Sequence, residues 1–440
     1  MIFLVLIFLF ASSAQSQTYY GIDDCVSYAY ENNPEITEIS LNSVKYESAK
    51  KQAEDASNPK FSFLTYAAPM YKITGDAYSY ERDYGTWGPY IHGKIEFKMP
   101  IYTWGKIEAY TAAARHGIKV AKSEKKQKEN EIAYEVKKYY YSLLLARTLK
   151  KTVEEVKKIL EDAVTKASQL YESGSGEIKK SDLEKLKFYL GTAEKYLNEA
   201  DKGVIMARLA LMRSMGMKED ENFDIKDVKL ARDPYELKDA DYYVSLAFRK
   251  RPEWFMISDG IKAKSFLLEA EKADRYPVFF LAGEAVYDKA WTAKDQKNPW
   301  LNDNYNNLYG GAAVGAKFDF SPKTLKAKIA EKKAEVDQLK AKERFAREGI
   351  TLQVKNSYYT AKEAAANVIS MKKALDAAEK WVMSAGLTYG LGTGDVKEAL
   401  EGLAARAQAQ KDYYQSIYDY NMAIADLAKN CGLDRLADEK

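Results

Sequence analysis

Residues 26–40 read VSYAYENNPEITEIS, and residues 244–258 read VSLAFRKRPEWFMIS. The second stretch begins 218 positions after the first (244 − 26) and repeats its Val-Ser, Ala, Pro-Glu and Ile-Ser positions. The same offset relates a further set, Ile132, Val136, Lys137, Tyr140 and Tyr141, to Ile350, Val354, Lys355, Tyr358 and Tyr359. A period this long is not that of a solenoid repeat. It indicates that a whole structural half of the chain is duplicated.

The composition favours long helices with charged surfaces. The chain has 440 residues, of which 30% are charged and only ten are proline. Its 67 basic and 64 acidic residues are interspersed along the chain and leave a net charge of +3. No basic face for nucleic acid is predicted from this pattern, so we expect no nucleic-acid partner.

The amino-terminal segment is typical of a secretory signal peptide. Residues 2–10 are apolar and are followed by the small residues of Ala11-Ser-Ser-Ala14-Gln-Ser16, although no Lys or Arg precedes the apolar run. We expect a signal peptide over residues 1–16, cleaved after Ala14 or Ser16. No later run reaches the roughly 18 apolar residues of a membrane-spanning helix.

Two cysteines, Cys25 and Cys431, lie near the two ends of the chain that would remain after cleavage. An oxidising compartment would permit a disulfide between them. Two unrelated buried thiols fit the sequence at least as well, because the spacing alone does not show that the two residues meet.

The first repeat covers residues 17–216. Its predicted elements are an opening helix (23–57, interrupted at Asn32-Asn33-Pro34), strands over 60–71 and 90–99, and a helical hairpin over 104–215 that is broken at Gly174-Ser-Gly176. Residues 72–88 are polar and rich in Tyr, which predicts a long exposed loop between the strands.

The second repeat covers residues 239–433 and has the same order. After an opening helix, its predicted elements are strands over 278–287 and 308–320, joined by a polar loop over 288–307, and a helical hairpin over 323–429 that is broken at Gly390-Leu-Gly-Thr-Gly394. Residues 217–238 are predicted to link the repeats, and residues 434–440 to form a carboxy-terminal tail. The two glycine-containing breaks are called the hairpin tips below.

The first long helix carries an apolar seam. From Ile132 to Leu170 apolar residues recur at steps that alternate, with one exception, between four and three, which predicts left-handed supercoiling against a neighbouring helix. At ~1.5 Å per residue, a helix over residues 104–171 would be about 100 Å long, too long for a compact domain.

The predicted strands alternate between apolar and polar residues. Ile91, Ile95 and Phe97 share one side, whereas His92 and Lys94 lie on the other. A length of roughly 9–11 residues suits a tilted strand that crosses a bilayer, although a water-soluble sheet packed on helices shows the same pattern. Four strands are too few to close a barrel, which needs about eight, and open edges are forbidden in lipid. Other copies of the chain would therefore have to complete a membrane barrel.

Several motifs together resemble the outer membrane efflux protein family, the TolC-like channels, over essentially the whole mature sequence. They are Asn33-Pro34-Glu35 and its counterpart Arg251-Pro252-Glu253, Pro100-Ile-Tyr-Thr-Trp-Gly105-Lys106, the tip from Tyr389 to Ala399, and Tyr418-Asp-Tyr-Asn421. The resemblance implies a mainly α fold with membrane β strands. In it, a homotrimer forms a twelve-stranded barrel in the cell outer membrane that continues as an α-helical barrel in the periplasm.

The resemblance also implies a function and partners. Such a trimer is a passive exit duct of a tripartite efflux or type I secretion system, in contact with outer membrane lipid. It is opened at its periplasmic end by an adaptor (membrane fusion) protein and an inner-membrane RND or ABC transporter. The chain departs from the pattern at residues 321–325, where the second strand-to-helix junction lacks a glycine equivalent to Gly105.

Two kinds of site are predicted at the hairpin tips. Asp395 and Glu398 match the acidic ring of the family's periplasmic gate, although Asp395 could merely cap a helix. Their equivalents in the first repeat are Glu177 and Lys180, so the second carboxylate is absent there. The tip glycines are candidates for adaptor docking or, alternatively, for nothing more than tight helix turns: Gly174, Gly176, Gly390, Gly392 and Gly394.

Enzymatic activity is not expected, and we predict no catalytic residue, no metal site and no cofactor. The only histidines, His92 and His116, have no metal-ligand spacing, and no glycine loop suited to phosphate follows a buried strand. The alternative functions are a soluble periplasmic coiled-coil adaptor and a helical scaffold. An adaptor would be expected to have one hairpin flanked by small β domains, instead of two equal halves.

Overall fold

The computed structural model describes residues 18–75, 80–174, 178–219, 221–298, 300–390 and 395–436. Its helices are α1 (Ile22–Asn32), α2 (Pro34–Asp55), α3 (Lys106–Glu172), α4 (Lys180–Met215), α5 (Ala240–Lys250), α6 (Pro252–Ala273), α7 (Pro322–Gly390) and α8 (Val396–Asn430). Its strands are β1 (Thr18–Tyr20), β2 (Lys60–Gly75), β3 (Tyr80–Tyr102), β4 (Phe223–Ile225), β5 (Val278–Ala290) and β6 (Asn306–Lys317). The expected signal peptide lies outside the described residues.

The order of the elements repeats, as the sequence duplication predicts. Two helices, two long strands and two helices follow one another from α1 to α4 and again from α5 to α8. The mainly α fold with four long strands is therefore confirmed. No helix within the described ranges is both long enough and apolar enough to span a membrane.

A proline separates the first two helices of each repeat. Asn33 (ψ 123°) and Arg251 (ψ 121°) are extended because the ring of a following proline disfavours the helical conformation. Pro34 and Pro252 then occupy the first position of the next helix, where no N–H donor is needed. The predicted interruption at Asn32-Asn33-Pro34 is confirmed.

The chain forms two compact units. The first comprises Met1–Leu41, Ser123–Phe255 and Arg344–Lys440. The largest fully buried side chains of its core include Tyr140, Leu143, Tyr243, Tyr420 and Leu427. The segment predicted as a linker contributes to this core, since β4 pairs in parallel with β1 and Phe223 and Ile225 are buried.

The second unit comprises Asn42–Lys122 and Met256–Glu343 and contains the four-stranded sheet. Its strand order is β2-β3-β5-β6, and all three pairings are antiparallel. The central pairing of β3 with β5 joins a strand of the first repeat to a strand of the second. The repeats therefore share one sheet.

The predicted loop over residues 72–88 is wrong. β2 continues to Gly75 and β3 begins at Tyr80, so only residues 76–79, which lie outside the described ranges, separate the strands. The ladder shifts register between Tyr71 and Lys72 and then continues through Lys72 and Asp83. Residues 81–88 are mostly polar or glycine and do not alternate with apolar residues, so their sequence resembles that of a loop although they form a strand.

The last strand ends earlier than predicted. β6 stops at Lys317, whereas the prediction ran to Phe320. Residues 318–321 make the turn into α7, and the Ser321 amide donates a hydrogen bond to the Asp319 carbonyl at 3.0 Å. At the first strand-to-helix junction the backbone of Trp104 and Gly105 has positive φ (57° and 78°) instead.

Candidate channel-forming surfaces

The sheet of the second unit has one continuous apolar face. Residues paired in register point to the same side of a sheet. Alternate residues of all four strands form this face, among them Phe61, Phe63, Ile95, Phe97, Leu281, Ala285, Leu308 and Val314. Phe61 is 73% exposed and Val314 70% exposed. An exposed apolar surface this extensive marks contact with a membrane or another protein.

The opposite face of the sheet is polar, and most of its charges are paired across strands. Lys94 Nζ lies 2.6 Å from Glu96 Oε1 and 3.0 Å from Glu284 Oε2. The Tyr90 hydroxyl donates to Asp288 Oδ1 at 2.6 Å, and His92 Nδ1 lies 2.7 Å from the same oxygen. Strands that alternate in this way are typical of barrels whose outside meets lipid and whose inside meets water.

The sheet is open at both edges. β2 and β6 are its edge strands. In the described part of the chain neither has a further strand beside it, apart from one bridge between Ile73 and Ala293. Unpaired backbone groups in lipid each cost several kcal/mol, so this sheet could span a membrane only if strands of other chains covered both edges.

The predicted gate carboxylates lie at the start of α8. Asp395 is its N-cap, and its Oδ1 accepts a hydrogen bond from the Lys397 amide at 2.9 Å. Glu398 follows in the first turn, and both carboxylates are exposed. Asp395 therefore is a cap, and this role leaves one of its oxygens available to other partners. The gate role remains a prediction.

Apolar packing holds the start of α8 in place. Residues from all four hairpin helices form one cluster, which includes Leu160, Leu183, Leu186, Val382, Val396, Leu400 and Leu403. A Cβ added to Gly402 would lie 3.2 Å from the Val382 Cα, so α7 and α8 approach closely. Burial of Val396 and Leu400 turns Asp395 and Glu398 toward solvent.

The tip glycines are only partly within the described residues. Gly174 follows α3 with φ +68°, a left-handed conformation that suits a tight turn. Gly390 is the last residue of α7, and Lys180 is the first residue of α4. Gly176, Gly392, Gly394 and Glu177 lie outside the described ranges. Adaptor docking at these glycines remains a prediction.

Two further glycines were missed in the sequence. Gly216 and Gly432 end the returning helices α4 and α8 with φ of +78° and +83°. A Cβ on Gly216 would lie 2.5 Å from the Asn32 carbonyl oxygen, and one on Gly432 would lie 2.5 Å from the Arg251 Cα. Each glycine therefore lets a hairpin end pack on the helix break of its own repeat. A glycine after a helical pattern is a C-cap signal that could have identified both.

The two histidines are each paired with an aspartate, and the two cysteines are buried. His116 Nδ1 lies 2.7 Å from Asp259 Oδ1, a pairing like that of His92. No group of three or more His, Cys, Asp or Glu residues suited to a metal ion is found across the described ranges. Cys25 and Cys431 are free and fully buried, and burial raises the pKa of each thiol to about 12.

The fold is similar to that of several outer membrane proteins of known structure. VceC of Vibrio cholerae is 15% identical, with a TM-score of 0.74 over 93% of this chain and 96% of that chain. The CmeC outer membrane channel of Campylobacter jejuni is 13% identical, with a TM-score of 0.75 over 95% and 87%. The MtrE outer membrane channel of Neisseria gonorrhoeae, in its open state, is 15% identical, with a TM-score of 0.74 over 95% and 90%.

The family resemblance read from the motifs is confirmed as well. Residues 25–217, essentially the first repeat, match the model of the outer membrane efflux protein family. A comparison with curated proteins gives no match. The soluble adaptor finds no support, because the structure has two equal helical hairpins and the fold of channel protomers.

Proposed function

We propose that the protein is the exit duct of an export system in the outer membrane. Three copies supply twelve strands, which close a barrel, and the helical hairpins continue it as a tunnel in the periplasm. The observation that carries this proposal is the sheet with an exposed apolar face, an ion-paired polar face and two open edges. Lipid covers the apolar face, water meets the polar face, and neighbouring copies cover the edges.

The partners follow from this arrangement. A passive duct needs an energy source elsewhere. In the family that the chain resembles, this source is an inner-membrane RND or ABC transporter that is coupled to the duct through a periplasmic adaptor. The hairpin tips are the part of the chain that we assign to the adaptor. The positive φ of Gly174 supports this, because a turn without a side chain permits close approach of another backbone.

Placement of the strand loops tests the proposed function. Residues 291–305 join β5 to β6, and Trp300 is 91% exposed there. We expect a Trp300→Cys variant to react with a membrane-impermeant maleimide on intact cells, because this loop lies outside the cell when the helices lie in the periplasm. The protein should also fractionate with the outer membrane and run as a trimer after mild detergent extraction.

The chain provides its own controls for this labelling. The parent should stay unlabelled at pH 7 to 8, since Cys25 and Cys431 are buried and their raised pKa leaves almost no thiolate. A Lys195→Cys variant on α4 should react only after the outer membrane is broken. A Trp300→Cys variant that also requires broken membranes, or a monomer found without detergent in the periplasm, would contradict the proposal.

We further propose that Asp395 and Glu398 form the periplasmic gate. Three copies of each would gather around the axis of the trimer, and clustered carboxylates attract cations. Hexamminecobalt(III) added on the periplasmic side should therefore block single-channel currents. In the variant Asp395→Asn/Glu398→Gln the concentration for half block should rise at least about tenfold, because the trivalent ion loses its charged ligands.

The control for the gate carries the same charge change elsewhere on α8. Asp412→Asn/Asp419→Asn removes two carboxylates that accept hydrogen bonds from glutamines on their own helix. This variant should keep the parental block.

The gate variant should also lose about 0.3–1 kcal/mol of stability per removed charge, because both residues lie at a helix N-terminus. If the block were unchanged in Asp395→Asn/Glu398→Gln, the two residues would act only as helix caps.

A further inference from the structure

Two lysines lie directly opposite each other on the polar face of the sheet. Lys60, the first residue of β2, pairs in register with Lys98 of β3. The side chains of such partners start about 5 Å apart, and like charges at this spacing destabilise a sheet. Neither lysine forms an ion pair with a carboxylate among the described residues. The pair therefore weakens the fold, unlike the paired charges of Lys94, Glu96 and Glu284 on the same face.

An aromatic ring beside the pair positions one of the charges. Lys98 Nζ lies 4.4 Å from the centroid of the Phe280 ring. A cation over a ring is attracted to it electrostatically, so the Phe280 ring holds the Lys98 ammonium group over β5. Both lysines are exposed to solvent in the single chain.

A cavity of about 500 Å³ opens at this end of the sheet. Five lysines line it, and three of them have acidic partners: Lys106 with Asp274 at 2.5 Å, Lys317 with Asp319 at 3.4 Å and Lys328 with Glu271 at 3.8 Å. The three acids are the only ones in its lining, so the cavity has an excess of two positive charges, those of Lys60 and Lys98. Its volume suits a small molecule.

We propose that this lysine cavity, defined by Lys60, Lys98, Lys106, Lys317 and Lys328, binds soluble multivalent anions of the phosphate class. The inference rests on the proposed function, because it names the class of solute that the duct interior favours. The cations in its lining are all lysines, whose compact ammonium groups bind phosphate as point charges, and several such charges suit an anion with several negative charges.

We assign the phosphate groups to a dissolved anion and not to the headgroup of a membrane lipid. Lys60, Lys98 and Lys317 project from the polar face, and the apolar face that lipid chains would contact is on the other side of the sheet. In the proposed duct the apolar face meets lipid, and the polar side, on which the cavity opens, meets water. We therefore assign the ligand to the aqueous interior of the proposed duct.

Calorimetric titration with sodium tripolyphosphate tests the inference on the full-length protein in a neutral detergent. We expect the parent to bind, and we expect Lys60→Gln/Lys98→Gln to raise the Kd at least about tenfold at low ionic strength. Raising the salt concentration should weaken parental binding, because the Debye length falls from about 30 Å at 0.01 M to about 10 Å at 0.1 M.

Two further variants separate charge from structure. Lys60→Arg/Lys98→Arg keeps both charges and should retain binding within about threefold. Lys340→Gln/Lys342→Gln removes two exposed lysines of α7 and should behave as the parent. Equal loss of binding in this last variant would indicate a general charge effect and overturn the inference, as would a parent that does not bind tripolyphosphate.

Planar-bilayer recordings distinguish this inference from the proposed function. Tripolyphosphate added on the side of the strand loops should reduce the parental current but not that of Lys60→Gln/Lys98→Gln. A parent that conducts but is neither blocked nor bound would overturn the anion site and leave the duct intact, as expected if neighbouring copies neutralise these lysines. A protein that binds tripolyphosphate without conducting would support the site and contradict the duct.

Discussion

Replacing Gly432 by alanine is expected to destabilise the first unit by about 3 kcal/mol or more. The left-handed backbone at φ +83° costs roughly 1–2 kcal/mol for any residue with a Cβ. The added Cβ would also lie 2.5 Å from the Arg251 Cα and 2.7 Å from its amide nitrogen, and main-chain atoms cannot move aside as a flexible side chain can. The melting temperature, followed by circular dichroism, should fall by roughly 5–10 °C.

Two other glycines complete this experiment. Gly216→Ala should have a similar effect, because its Cβ would meet the Asn32 carbonyl oxygen at the equivalent break of the first repeat. Gly191→Ala is the matched control, since no atom lies within 4 Å of its added Cβ in the interior of α4, and it should be neutral or stabilising by up to about 1 kcal/mol. An unchanged melting temperature for Gly432→Ala would show that the end of α8 can move away from the break between α5 and α6.

Placing a lysine on the apolar face of the sheet is expected to prevent stable insertion of the trimer. Ala312 lies in the middle of β6 on that face, opposite Gly283. A lysine at the midplane of a bilayer costs about 2–4 kcal/mol on the lipid face of a barrel, and each trimer would carry three. We expect the Ala312→Lys variant to lose most of the trimer band in unheated gels and to leave the outer membrane fraction.

The neighbouring residue is the control for this effect. Ala313 lies on the polar face, opposite Ala282, and Ala313→Lys adds the same side chain to the same strand. It should insert and form trimers like the parent, because its charge meets water. Equal loss of trimer in both variants would indicate that β6 is disturbed by any long side chain, and would contradict the assignment of the two faces to lipid and water.

The repeat in the sequence predicted the order of the elements. It did not predict that matching residues of the two repeats would have different burial and different partners. Tyr140 and Tyr358 occupy matching positions, yet Tyr140 is fully buried and donates to Asp227 Oδ2 at 2.6 Å, whereas Tyr358 is only partly buried. Lys137 is buried and donates to the Asp434 carbonyl, whereas its counterpart Lys355 pairs with Asp241 at 3.2 Å. Identical residues diverge because the segments that cover the two halves differ.

The contacts of the junction glycines could not be predicted from the sequence repeat. Gly432 follows Gly216 by 216 positions (432 − 216), two short of the repeat offset, so the register does not pair them. Their shared role appears only when the ends of α4 and α8 are seen against the breaks at Asn33 and Arg251. The breaks themselves were predicted, because a proline acts on its immediate neighbour whatever the tertiary structure.

The sequence by itself determined the duplication, the helical hairpins, the four long strands and the cap at Asp395, since these depend on periodicity, proline and glycine within a few residues of one another. Only the tertiary structure decided that β3 pairs with β5, that the four strands share one apolar face, and that Lys60 meets Lys98 without a carboxylate between them. Strand partners and register depend on residues that are far apart in the chain. The local sequence pattern of one strand does not specify which other strand it pairs with.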